Sequence, residues 1–172
     1  MRTDISPPYF ALLIISAAAL AYEVLLIRLF SIIQWHHFAY MMISLALLGY
    51  GASGTFLVLA RRWLEGRFLA AYLVNAVSFG ISAMLCFGLA QALPFNALEV
   101  FWDPWQPLWM MMIFLLLFIP FFCVANCICL TFTQYSGQLH RVYCFDLLGA
   151  GCGALAIIGL LFIVRPSTAL QV

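Results

Sequence analysis

The sequence predicts an all-α integral membrane protein, a polytopic helical bundle of about five transmembrane helices, and three features predict it. Of 172 residues, 67% are hydrophobic and 8% charged, where a soluble domain has about 45–50% apolar and about 25% charged residues. The mean hydropathy is +1.12, and a chain of this length encloses too little volume to hide such an excess from water. The apolar residues also form long unbroken runs, which favours helices of about 20 residues over the alternating strands of about ten that build an outer-membrane barrel. The same composition excludes disorder. A net charge of +1, with no basic run tracking a phosphate backbone, excludes nucleic acid as a partner.

Each span follows from a run near the length that a bilayer core requires. The first, residues 8–30, follows Met1, Arg2, Thr3 and Asp4 and ends without a small-residue cleavage site, so it reads as a retained helix and not a signal peptide. The second, 35–59, follows a tight corner of Gln34, Trp35, His36 and His37. A basic loop, 61–67, separates it from the third span at 68–93. The fourth, 108–132, comes after a loop at 94–107, and the fifth, 142–164, after a polar loop at 134–141. No linker or second domain interrupts this single membrane domain. The closing Arg165, Pro166, Ser167 and Thr168, followed by apolar residues, read like the start of another helix, so a fragment of a longer chain is the expectation.

With five spans, Arg2, Arg61, Arg62, Arg67 and Arg141 fall on one side, and Glu99, Asp103 and Arg165 on the other. The bias of arginine toward the cytoplasm places the N-terminus there, in a multi-pass chain of a bacterial inner membrane. Trp102, Trp105 and Trp109 fit an interfacial belt at the far surface. The six cysteines (Cys86, Cys123, Cys127, Cys129, Cys144 and Cys152) all lie in or at the edge of apolar runs, which argues against a disulfide framework.

The informative residues are those that are costly to bury. Glu23 and Arg28 lie in the last third of the first span, where a charge costs at least about 2.5–3.5 kcal/mol near the centre. They are about 140° apart around the axis, and two readings stand: a structural pair with Arg28 reaching to the outer interface, or a polar site facing the bundle interior. Asp146, about one turn into the fifth span, is expected to pair with Arg141 or to favour the helix N-terminus. By depth, Glu23 and Asp146 lie near opposite faces. Asn126, beyond an expected kink at Pro120, offers an interhelical hydrogen bond.

Metal ligation is the weaker reading of the remaining groups. His36 and His37 point about 100° apart on one helix, and His140 lies at the other surface, so axial haem ligation does not fit well. Cys123, Cys127 and Cys129 with Met110, Met111 and Met112 would suit Cu(I), but cysteine is also an ordinary buried residue. No cofactor is expected. Gly49, Gly51 and Gly54 match G-x-G-x-x-G inside an apolar span, where a dinucleotide site would need a βαβ unit. They and Gly149 and Gly153, a G-x-x-x-G pair, read as helix-packing seams.

Three segments carry a family resemblance. Tyr22, Glu23 and Arg28 form Tyr-Glu-x4-Arg in the first span. Gly49, Gly51 and Gly54 make the second span glycine-rich. Tyr143, Asp146, Gly149, Ala150 and Gly153 form Tyr-x2-Asp-x2-Gly-Ala-x2-Gly in the fifth. Together, over about half the chain and in order, they resemble the membrane part of membrane-bound spermidine synthase-like proteins, and the His36–His37 corner departs from that pattern. The resemblance implies a multi-span module preceding a soluble aminopropyltransferase-like domain, of which this sequence holds no strand–Gly-loop–helix unit. The expectation is a non-catalytic module that anchors or regulates such a domain, or a subunit of a larger membrane assembly. The alternatives are part of a transporter binding a cationic substrate at Glu23, and a metal or redox subunit.

Overall fold

Each predicted span folds as one helix. In the computed structural model, which describes residues 8–33, 37–64, 66–95, 99 and 102–163, α1 is Tyr9–Ile33, α2 His37–Leu64, α3 Phe68–Ala92, α4 Gln106–Gln134 and α5 Leu139–Ile163. No strand occurs among the described residues, and all five helices are long and apolar enough to cross a membrane. In hydrocarbon every backbone polar group needs a partner within its own segment, which a helix supplies. The chain is a multi-pass membrane protein.

Two connections are shorter than the sequence implied. The basic segment expected as a loop at 61–67 is mostly helix, because α2 continues through Arg61, Arg62 and Trp63 to Leu64. The chain reverses at Gly66, whose φ of 86° suits a residue without Cβ. The segment 134–141 collapses to Tyr135 and a single 3₁₀ turn, Ser136–Gln138, before α5 begins. The physical reason is common to both. A polar helical turn at the membrane surface keeps its intrahelical bonds while its side chains reach water. At the opposite end, Asp103 organises the entry to α4, accepting the Trp105 N–H at 3.1 Å and the Gln106 side-chain amide at 3.2 Å. Helix α4 then runs through Pro120 as one helix.

Helix α4 is the centre of the bundle, with α3, α2 and α1 packed around it, whereas α5 lies outside and docks mainly along α1. The main core joins Leu26, Met42, Leu45, Leu117 and Val124, and a smaller cluster of Leu12, Ile128 and Val142 closes one end. Helices α1 and α5 run parallel in constant register: Tyr9 stacks on Phe145 with ring centroids 4.7 Å apart, Gly149 meets the backbone of Leu13, and Gly153 meets that of Ala17. Each pair is four residues beyond the last on both helices.

The Tyr9 hydroxyl donates to Gln138 Oε1 at 2.7 Å, and the Phe68 ring meets Tyr135 edge-on at 5.7 Å. The starts of α1, α3 and α5 therefore share one end of the bundle with the ends of α2 and α4. That end carries Arg61, Arg62, Arg67, His140 and Arg141. Trp102 and Trp105 are exposed at the other.

Candidate functional site

Because α1 continues to Ile33, Glu23 lies nearer the middle of its helix than the sequence placed it, about 21 Å of rise from Tyr9 and about 15 Å from Ile33. Its side chain is half-buried, and among the described residues no hydrogen bond or opposite charge reaches the carboxyl. The expected pair with Arg28 does not form. Arg28 is exposed and instead lines a hollow of about 290 Å³ on the α1–α5 side, with Val24, Ile158 and Phe162. Five residues of separation turn the two side chains to different faces.

Asp146 finds a partner that the sequence reading missed. Since α5 starts at Leu139, Asp146 lies about 10.5 Å along that helix, two turns deep, and Ser16 lies about 10.5 Å along α1. The Ser16 hydroxyl, in a residue only 2% exposed, donates to Asp146 Oδ1 across the parallel crossing. Arg141 does not fill that role. A signal for Ser16 was present: it precedes Glu23 by seven residues, close to two helical turns, and so shares its face.

Tyr50 stands on α2, 38% exposed, within electrostatic range of Asp146, Glu23 and Cys129. Ser16, which holds the Asp146 carboxyl, and Glu23 share one face of α1 about 10.5 Å of rise apart, and this lane lies within electrostatic range of the Tyr50 phenol. By the register of α1 on α5, the Asp146 backbone lies near the level of Phe10, about 19.5 Å of rise before Glu23, so the two acids stand at different depths. An ionised carboxylate near mid-membrane without a partner is costly, so this lane has the chemistry to hold a cation or a proton. Its acceptors are carboxyl oxygens, and its hydroxyls both donate and accept.

Other candidates lie elsewhere. Asn126, 1% exposed, donates through Nδ2 to Asn75 Oδ1 at 3.2 Å, and Asn75 donates to the Ala71 carbonyl at 2.8 Å. This joins α4 to α3, as the sequence suggested for Asn126, and leaves it out of the lane. Its Oδ1, the Ser53 hydroxyl and the Tyr72 hydroxyl are buried without hydrogen-bond partners among the described residues. The Cys127 thiol donates to the Tyr72 carbonyl at 3.6 Å, while Cys123 is half-buried and within electrostatic range of Cys86. Among the described residues no three or more His, Cys, Asp or Glu side chains gather to hold a metal. His36 lies outside the described residues, as does the His37 side chain.

The glycines divide. A Cβ at Gly149 or Gly153 would meet the α1 backbone, and one at Gly49 would stand 2.9 Å from Phe121 Cβ. These three are close-approach points. At Gly51 and Gly54 a Cβ would meet nothing within 4 Å, so the second-span seam narrows to Gly49. Only one of its three glycines faces α4 at the crossing.

No protein-family model, curated protein or solved structure matches the chain.

Proposed function

We propose that this chain is a non-catalytic helical membrane module that works within a larger assembly, anchoring or regulating a spermidine synthase-like domain. The observation that favours this is where the resemblance segments meet. Asp146, Gly149 and Gly153 of α5 contact Ser16, Leu13 and Ala17 of α1, and Tyr50, beside Gly49, stands within range of Glu23 and Asp146. Residues far apart in the chain thus serve one helix junction, as expected of a module built for assembly. The arginine-bearing end is then cytoplasmic by the positive-inside tendency, and the membrane that of a bacterial cell. The experiment is the intact mass of the chain from its native membrane, with whatever accompanies it in mild detergent. A soluble aminopropyltransferase-like domain, fused or bound in fixed ratio, supports the reading; a monodisperse chain with no such partner counts against it.

A second reading has its own observation. Among the described residues no hydrogen bond or opposite charge reaches Glu23 near mid-helix, which favours binding of a cationic substrate in a transporter part. Carbodiimide labelling of Glu23 that spermidine suppresses in the wild type, and not in Tyr50→Phe or Asp146→Asn, would favour it. Labelling indifferent to spermidine would remove it.

A further inference from the structure

Beyond the Gly49–Phe121 crossing, toward the arginine-bearing end, α2 and α4 leave a groove of about 610 Å³ between them. Its walls change character along the helix. Gly54, Val58 and Leu130 line the part within the span, and Arg61, Gln134 and Ser136 line the part nearest the membrane surface. From Gly54 to Arg61 is about 10.5 Å of helix. A Cβ at Gly54 would meet nothing within 4 Å, so the inner part is open. Arg62 and Arg67 are exposed at the same end.

This two-part lining selects among ligands. A small inorganic anion would use the arginine end and leave the apolar length empty, whereas a neutral hydrocarbon would ignore the basic rim. An amphiphile with an anionic head and an aliphatic tail matches both parts, and basic pockets between helices at a membrane surface suit acidic headgroups. We infer that the α2–α4 groove is a binding site for one acidic phospholipid of the adjoining leaflet, its phosphate at Arg61 and an acyl chain running to Gly54. The site is separate from the Glu23 lane and does not depend on the function proposed above.

The test is native mass spectrometry of the purified chain in mild detergent, titrated with phosphatidylglycerol or phosphatidylcholine of identical acyl chains. One phosphatidylglycerol should be retained preferentially and should raise the unfolding midpoint. Arg61→Gln should weaken that retention about fivefold, the share of one basic side chain at an anionic surface. Gly54→Leu should remove it by filling the acyl path, whereas Gly51→Leu, an equally open glycine outside the groove lining, should not. Equal retention of both lipids would overturn the site, as would retention unchanged in Arg61→Gln. Competition by glycerol 3-phosphate as effective as by the whole lipid would overturn the acyl seat. If Gly54→Leu does not fold, Arg61→Gln and the headgroup competition decide the matter.

Discussion

The Ser16 hydroxyl donates to the Asp146 carboxyl across the crossing of α1 and α5, one turn before Gly149 lets the two backbones close together. The polar contact and the small-residue seam lie on the same face of α5, since Asp146, Gly149 and Gly153 recur at three and four residues. Lipid tails are as apolar as the side chains they would replace, so helix association here depends on close packing and such interhelical bonds. The two features specify one parallel register.

Enlarging the seam should undock α5. Gly153→Leu places a side chain against the Ala17 backbone, which cannot yield as a flexible side chain would. The expected destabilisation is about 1–3 kcal/mol, read from unfolding midpoints in mixed micelles. Gly151→Leu, at a position open within the chain, should change stability by no more than about 0.5 kcal/mol.

Ser16→Ala and Asp146→Ala should be coupled. A double-mutant cycle should return about 0.6 kcal/mol, the average for interhelical hydrogen bonds in a bilayer, and no more than about 1.7 kcal/mol. Additive effects would mean that the bond contributes nothing to docking.

The Asn75–Asn126 bridge should tolerate joint replacement better than single replacement. Asn126→Leu alone leaves the half-buried Asn75 carbonyl without its α4 donor, whereas Asn75→Leu with Asn126→Leu removes both partners together. Thermal midpoints should place the double variant above Asn126→Leu; the reverse order would show the bridge to be a net stabiliser.

Tyr135, between the α4 and α5 spans, has its phenol pushed above the ordinary tyrosine range by burial. Folding thus favours its neutral form. The stabilisation is full below the unfolded phenol's titration and is lost as pH rises through the folded one. Tyr135→Phe should flatten the alkaline fall of the unfolding midpoint by that contribution, and phenolate absorbance should show the missing late-titrating group.

What the sequence by itself determined is the number of helices and their nature, because run length and polarity are local properties and a bilayer accepts only segments that satisfy their own backbones. It also identified Glu23, Asn126, Asp146, Gly149 and Gly153 as residues with a cost or a purpose, since each interrupts an apolar background. It could not choose their partners. Arg28 and Arg141 are near in sequence to the two acids, yet helix rotation sends Arg28 to another face and α1 brings Ser16 to Asp146 from 130 positions away. Nor could it separate Gly49, pressed on Phe121, from Gly51 and Gly54, which face open space; those positions differ only in which side of α2 meets α4. Nothing in the sequence singled out Tyr50, which the bundle brings within electrostatic range of Glu23 and Asp146. The tertiary structure decided these matters because contacts between helices depend on rotation and register, and an apolar run of uniform composition encodes neither.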